Sequence, residues 1–180
     1  MALLVNLFGG PCTRKSTTAI RVAGELMRRG INCDYAHEYA KKLTYEGRAK
    51  LLQSNQLYIL AKQEKIVKDA YDVQDVVITD SPFIMGLAYY NRGCNTLPYQ
   101  TFFNLAVDLF NCYQNMNYLL LRSDDCEYNP VGRINDPEEA KKIDEDVFGV
   151  LRNTEIGYHI VNADEAYERI LSDILYFLGK

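Results

Sequence analysis

A segment near the start of the chain combines the residue types that bind phosphate. It reads, in order, Gly9, Gly10, Pro11, Cys12, Thr13, Arg14, Lys15, Ser16, Thr17. In a loop of this kind the backbone N–H groups surround an anion, the lysine reaches the β- and γ-phosphates, and the serine hydroxyl binds Mg²⁺. All of these residues are therefore candidate contacts for ATP, with Ser16 as a ligand of Mg²⁺.

Arg14 departs from the usual form of this loop, GxxxxGK[ST], because it replaces the glycine before the lysine. Its side chain either crowds the loop or turns toward the phosphates as an additional cation. We favour the phosphate contact, since the two preceding glycines leave room for a long side chain to turn. A strand-to-helix turn with an incidental Lys-Ser-Thr is the other interpretation of the segment, which its position after the first predicted strand disfavours.

Two carboxylates follow other predicted strands. Asp80 directly follows the apolar run Val76–Thr79, and an acid at that strand end can bind Mg²⁺ directly or through water. Glu38 follows the second predicted strand. The alternatives are structural, because Asp80 could cap the next turn and Glu38 could lie at a helix N-terminus.

Strands and helices alternate along the sequence. The predicted strands are Met1–Phe8, Asn32–Ala36, Asp75–Thr79, Met116–Arg122 and Tyr158–Val161. The predicted helices are Ser16–Arg29, Glu38–Leu43, Gln53–Ala70, Leu97–Cys112 and Asp136–Leu151. This alternation predicts an α/β three-layer sandwich, in which helices cover both faces of a five-stranded parallel sheet and ligands bind at the carboxyl ends of the strands.

The composition is that of one folded domain covering residues 1–180. The chain is 48% hydrophobic with a net charge of −4, which excludes a disordered chain. No apolar run reaches the length of a membrane span, about 18 residues, and the first residues carry no basic leader, so we expect a cytoplasmic protein without a membrane partner. Five scattered cysteines without a CxxC pair, beside two histidines, indicate neither a disulfide framework nor a zinc site.

Four motifs resemble, as a set, those of a known kinase family. They are GGPCTRKSTTA, YAHEYAKKLTYEGR, VVITDSP and YNPVGRINDPEEAKKIDE. The chain resembles the small phage-encoded P-loop kinases, often labelled AAA-type ATPases, which include the 5-hydroxymethyluracil DNA kinases of phage thymine hypermodification. It is also similar to the nicotinamide riboside kinase domain. The resemblance runs from the first strand to about Glu145, and it implies a P-loop NTPase fold of the nucleoside and nucleotide kinase type with a small lid.

The resemblance also implies roles for individual residues. Glu38 would accept the proton of the acceptor hydroxyl, with Asp80 as the second choice for this base. A lid at about 123–137 would close over the phosphates and deliver Arg133 to the transferred group, with Arg122 as a second cation for the nucleotide. The predicted catalytic residues are Lys15, Glu38, Asp80 and Arg133.

Substrate specificity is expected between the second and third predicted strands. The candidate residues there are Tyr39, Arg48, Gln56 and Gln63. Gln56 and Gln63 share a helix face, and amides can read the edge of a nucleobase. Aromatic residues at this spacing belong to a core more often than to a stacking platform. The lysines and arginines of this region form a local positive excess that fits either a DNA backbone or the solvated faces of two helices.

These features lead to one functional hypothesis and three alternatives. The hypothesis is a kinase that transfers the γ-phosphoryl group of ATP, with Mg²⁺, to a hydroxyl of a nucleobase, nucleoside or nucleotide, with 5-hydroxymethyluracil in phage DNA as the preferred acceptor. The alternatives are a (deoxy)nucleoside monophosphate kinase, a nicotinamide riboside kinase and, from another class, a nucleotide-binding regulator in which Arg14 has abolished turnover. The sequence leaves the oligomeric state open, a homodimer included.

Overall fold

A five-stranded parallel sheet lies at the centre of the fold. Its strands are β1 (Leu3–Phe8), β2 (Cys33–Ala36), β3 (Val76–Thr79), β4 (Asn115–Leu121) and β5 (His159–Asn162). The strand order is β2-β3-β1-β4-β5, and every neighbouring pair is parallel. The sheet confirms the predicted architecture, and the central position of β1 explains why all six of its residues are buried.

This computed structural model describes residues 2–90, 95–122 and 137–180, with side chains from residue 142 onward in the last range. The predicted lid, apart from residue 137, therefore lies outside the described residues, and so does Arg133. Within the described ranges, no helix has both the length and the apolar character needed to cross a membrane.

Helices connect the strands on both faces of the sheet. They are α1 (Lys15–Arg28), α2 (Tyr39–Tyr45), α3 (Lys50–Ser54), α4 (Gln56–Tyr71), α5 (Gly86–Tyr89), α6 (Tyr99–Phe110), α7 (Pro137–Asn153) and α8 (Ala166–Phe177). A 3₁₀ turn at Phe83–Met85 precedes α5.

The side chains of β1 alternate between two apolar cores. Val5 and Leu7 pack in a cluster with residues of α1 and α8, whereas Leu4 and Phe8 pack in a second cluster with residues of α4, α6 and α7. Each core therefore lies between the sheet and one layer of helices, which confirms the three-layer arrangement.

Several helical regions differ from the predictions, and α5 with the 3₁₀ turn before it is one that was not predicted. The predicted helix Gln53–Ala70 is divided at Asn55, whose side chain accepts a hydrogen bond from the backbone N–H of Tyr58 and caps the start of α4. No helix is predicted after Val161, whereas α8 follows β5 and packs against α1. None of these differences changes the order of the strands.

Candidate active site

The loop after β1 begins at a position that requires glycine. Gly9 has a φ of +140°, and a Cβ atom there would lie 2.8 Å from Thr13 Oγ1 and 3.0 Å from the backbone oxygen of Leu120. The loop therefore passes so close to β4 that no larger residue fits without displacing the backbone.

The loop backbone then turns through two left-handed residues that are not glycine. Cys12 has a φ of 65° and Arg14 a φ of 59°. Left-handed residues in a tight turn occur in the concave loops whose backbone N–H groups bind anions. The curved backbone between Gly9 and the start of α1 therefore has the form of an anion-binding loop.

The conformation of Arg14 explains why this loop usually has a glycine at that position, since an L-residue with a side chain has a steric penalty there. Arg14 immediately precedes α1, and its guanidinium forms an ion pair with Asp164, which follows β5. Both side chains of the pair are exposed, at 41% and 57%. The predicted contact between Arg14 and phosphate would need the guanidinium to leave Asp164, and it stays a prediction.

The ammonium group of Lys15 lies over the loop. Its Nζ donates to the backbone oxygen of Gly10 at 2.6 Å and to Thr13 Oγ1 at 3.2 Å. Thr13 Oγ1 in turn donates to the same oxygen of Gly10 at 2.9 Å. These bonds hold the Lys15 ammonium group against the loop, and its contact with bound phosphates stays a prediction.

Ser16 and Asp80 meet where α1 begins and β3 ends. The Ser16 hydroxyl donates to Asp80 Oδ2, and Asp80 is only 5% exposed. The other oxygen, Asp80 Oδ1, is buried without a hydrogen-bond partner in the described part of the chain. A buried carboxylate oxygen in that condition fits a cation, because burial of an unpaired acceptor costs free energy.

These oxygen donors fit Mg²⁺. No group of three or more histidine, cysteine, aspartate or glutamate side chains that could hold a metal occurs among the described residues. Mg²⁺ does not need such a group, because it keeps several waters and is usually bound by one or two protein ligands together with substrate phosphates. Ser16 and Asp80 are the residues that would hold it.

Tyr35, which the sequence analysis does not single out, belongs to this cluster. Its hydroxyl lies close enough to Asp80, Ser16 and the Glu38 carboxylate for all three to affect its pKa. Burial and then the negative charge of Asp80 raise the pKa of Tyr35, so the phenol remains protonated. Its place follows from the strand register, in which Tyr35 is opposite Ile78 in β3, two residues before Asp80.

Glu38 lies at the end of β2, next to the strand that ends at Asp80. Ala36 and Thr79 are paired in the parallel register, so the residues after them reach the same edge of the sheet. Glu38 is half-buried and precedes α2, but its side chain makes no capping hydrogen bond. The structure therefore places this carboxylate at a helix N-terminus, as its alternative predicts, and its role as a base stays a prediction.

The four predicted substrate residues fall into two groups. Gln56 and Gln63 are buried, with 4% and 3% of their surface exposed. The amide of Gln56 donates to the backbone oxygen of Leu52, and the amide of Gln63 bonds the backbone of both neighbours of Glu38. The structure thus gives both glutamines positioning contacts within the protein. Reading of a nucleobase by their remaining hydrogen-bonding groups stays a prediction.

Tyr39 forms an edge-to-face pair with Tyr58, with ring centroids 5.9 Å apart and hydroxyls 2.8 Å apart. That hydrogen bond raises the pKa of Tyr39 and lowers that of Tyr58. Arg48 forms an ion pair with Glu46, with 3.3 Å between Arg48 Nη1 and Glu46 Oε2. Tyr39 directly follows Glu38 along the chain, whereas Tyr58 lies on α4, and a contact between this pair and an acceptor stays a prediction.

The local positive excess of this region is largely paired. Lys42, Lys65 and Lys68 each form an ion pair with an acid one turn later along the chain. Pairs of this type are typical of solvated helix faces. They give no support to the alternative interpretation, a surface for a DNA backbone.

Arg122, the predicted second cation for the nucleotide, follows β4 and forms an ion pair with Asp144 of α7. The distance between Arg122 Nη2 and Asp144 Oδ2 is 2.7 Å. The other oxygen, Asp144 Oδ1, accepts a hydrogen bond from the backbone N–H of Gly10 at 2.7 Å. The structure thus brings Arg122 to the phosphate loop through Asp144, which the sequence analysis does not identify.

These features define a P-loop NTPase fold. A glycine loop follows the central parallel strand, and the next helix begins at a lysine and a serine. An aspartate lies at the end of the adjacent strand and bonds that serine. The particular family follows from a family model, described as AAA domain, that matches residues 4–169. Because this match covers most of the chain, the protein belongs to the AAA domain family. A search of curated proteins gave no match.

Two crystal structures of NadR protein share the fold, each with a TM-score of 0.69. One, in complex with NAD and AMP-PNP, is 15% identical in sequence, and the match covers 99% of this chain and 50% of that chain. The other, in complex with NR, is 16% identical, and the match covers 99% and 52%. The chain thus spans about half the length of the NadR chains it matches, and this likeness establishes the fold.

Proposed function

We propose that this protein is an ATP-dependent kinase that transfers the γ-phosphoryl group, with Mg²⁺, to a hydroxyl of a nucleobase- or nucleoside-type acceptor. One observation carries the proposal. Lys15 and Ser16 follow β1, Asp80 follows β3 and Glu38 follows β2, which are three adjacent strands of the sheet. Groups suited to phosphate, metal and proton chemistry thus lie side by side, as in-line phosphoryl transfer requires.

The division of labour follows from these positions. Lys15 and the loop backbone bind the phosphates, and Ser16 and Asp80 would hold Mg²⁺, which neutralises phosphate charge when bound. Glu38 accepts the proton of the acceptor hydroxyl while the oxygen of that hydroxyl forms a bond to the γ-phosphorus. At the same time the bond between the γ-phosphorus and the bridging oxygen breaks, and ADP leaves. Positioning supplies most of the rate, so Glu38 needs only modest base strength.

The preferred acceptor is 5-hydroxymethyluracil in DNA. This choice depends on the four sequence motifs that resemble those of the phage kinases, and the lid at 123–137 with Arg133 belongs to the same proposal. The second candidate is nicotinamide riboside. The fold shared with a NadR protein solved in complex with NR supports this second choice.

A labelled-ATP assay tests the proposal. The protein is incubated with Mg²⁺, γ-labelled ATP and, in parallel, duplex DNA containing 5-hydroxymethyluracil, the free deoxynucleoside, deoxynucleoside monophosphates and nicotinamide riboside. We expect label on the modified duplex. Label on nicotinamide riboside alone would replace the first acceptor by the second, and tight ATP binding without label on any acceptor would favour a regulator.

The matched control is Lys15→Ala. Loss of a charged contact to the transferred phosphate typically costs about 3 kcal/mol or more, roughly 10²-fold in rate. Lys15 is partly exposed, so the variant should fold normally. Turnover within a few-fold of the parent protein would contradict the phosphate-loop assignment.

A further inference from the structure

Asp144 joins three segments of the chain that are remote in sequence. It lies on α7, its Oδ1 accepts from the N–H of Gly10, and its Oδ2 accepts from Nη2 and Nε of Arg122 at 2.7 Å and 3.3 Å. Both charged side chains are partly buried, Arg122 at 24% and Asp144 at 32% exposed. One carboxylate therefore fixes α7 and the end of β4 to the phosphate loop.

Gly10 is also the residue that holds Lys15. Its N–H donates to Asp144 while its carbonyl oxygen accepts from Lys15 Nζ. Arg122 is thus connected through one carboxylate to the residue that positions the phosphate-binding lysine. Two cations are in this way organised around a single residue of the loop.

The bonds to Asp144 also fix the orientation of Arg122. A guanidinium is a rigid plane with five N–H donors, and Asp144 binds its Nε and Nη2 edge. The ion pair therefore also fixes the orientation of Nη1, which belongs to the same plane. An arginine held in this way can bind a phosphate oxygen with little further loss of side-chain conformational entropy.

We propose that Asp144 is a positioning residue of the nucleotide site, which holds Arg122 beside the phosphate loop so that its guanidinium contacts a phosphate of ATP. The inference rests on the proposed function, because it needs the loop to bind a nucleoside triphosphate. The opposite possibility is that Asp144 occupies donors that phosphate would otherwise use, and the two possibilities predict effects of opposite sign.

Titration with a fluorescent ATP analogue distinguishes them. Arg122→Ala and Asp144→Asn should each weaken binding, by about tenfold for the arginine and somewhat less for the aspartate. The double variant should bind no more weakly than Arg122→Ala, because Asp144 acts through the arginine. Additive losses, or tighter binding by Asp144→Asn, would overturn the proposal.

A readout that a purely structural defect would not reproduce is the affinity for adenosine. Adenosine has no phosphate for Arg122 to contact, so its affinity should be unchanged in Asp144→Asn, whereas a general lesion of the site lowers both affinities. Glu145→Gln, on the exposed side of the same helix, is the matched control and should bind ATP like the parent protein.

Two further variants keep the outcomes separate. If Asp144→Asn does not fold, Asp144→Glu retains the charge, displaces the guanidinium and should weaken ATP binding about threefold. Parent-like ATP affinity in this variant would overturn the proposal.

Lys15→Ala reports on the proposed function itself. If Lys15→Ala binds ATP like the parent, the proposed function fails; if it alone loses ATP while the Arg122 and Asp144 variants bind normally, only the present inference fails.

Discussion

The side-chain amide of Gln63 hydrogen-bonds the backbone on both sides of Glu38. Its Nε2 donates to the carbonyl oxygen of His37 at 3.0 Å, and its Oε1 accepts from the N–H of Tyr39 at 2.8 Å. Gln63 is itself buried in α4. The junction between β2 and α2, which carries the proposed base, is therefore held by a side chain from a different helix.

Gln63→Met should reduce both stability and turnover. The methionine has a similar size but leaves two backbone groups without partners, which typically costs about 1–3 kcal/mol of unfolding free energy. Turnover should fall because Glu38 is no longer held in place, while ATP affinity stays unchanged. Thermal unfolding and steady-state kinetics measure the two effects. Gln100→Met, where the amide bonds Asn104 on an exposed face, is the control and should behave like the parent protein.

Glu38 and Asp80 should have separable roles in a Mg²⁺ titration. Asp80→Asn should weaken metal-dependent turnover and be partly relieved by more Mg²⁺, because Asp80 is bonded to the other candidate metal ligand, Ser16. Glu38→Gln removes the proton acceptor and should lower kcat about 10²-fold or more, with ATP binding little changed and no rescue by metal. If added Mg²⁺ rescues the Glu38 variant and not the Asp80 variant, the two assignments must be exchanged.

Tyr35→Phe removes only the hydroxyl that lies beside Asp80 and Ser16, the two candidate metal ligands. Partners of this kind orient a metal ligand, and their loss costs roughly 10-fold or more in metal affinity or activity. We therefore expect a higher Mg²⁺ requirement with an unchanged fold, measured by metal titration and thermal unfolding. Tyr45→Phe, at a tyrosine that is 69% exposed, is the control. An unchanged Mg²⁺ requirement in the Tyr35 variant would exclude this role.

Gly9→Ala and Gly24→Ala should have opposite effects on stability. At Gly9 the new methyl group would meet Thr13 Oγ1 and the Leu120 backbone at a φ of +140°, so we expect a loss of roughly 2 kcal/mol or more together with weaker ATP binding. At Gly24, inside α1, no atom lies within 4 Å of a new Cβ, and alanine should stabilise the helix by about 0.5–1 kcal/mol. Chemical denaturation of both variants gives the comparison, and a stable Gly9→Ala protein would contradict the close contact with β4.

Arg14→Gly tests the predicted phosphate contact. Stability should change little, because glycine relieves the left-handed strain while only an exposed ion pair is lost. If Arg14 leaves Asp164 for the phosphates, ATP affinity should fall by about threefold or more, as measured by nucleotide titration. Asp164→Asn is the companion variant, because it releases the guanidinium and should not weaken binding. Tighter binding by Arg14→Gly would show instead that the arginine crowds the loop.

The sequence is sufficient for the parts of the site that each follow a strand. Apolar runs with turn residues after them identify β1 and β3, so the order of residues alone places Lys15, Ser16 and Asp80 at one edge of the sheet. The prediction omits α8, although Ala166, Ile170 and Ile174 recur every four residues and are buried. That spacing is the ordinary signal of an amphipathic helix.

Contacts between remote segments could not be predicted in this way. Gly10 and Asp144 are 134 positions apart, and no periodicity relates an N–H in a loop to a carboxylate on a late helix. The spacing of Gln56 and Gln63 likewise indicates a shared face but not which surface that face contacts. Both amides are directed inward because the backbone of neighbouring segments needs partners there.

β1 is synthesised long before the strands that flank it. The backbone N–H of Leu3 donates to Asp75, and that of Leu4 donates to Gln114. A nascent chain that ends before β4 therefore has an apolar strand with an open edge, which is a state that chaperones bind and that aggregates when it persists.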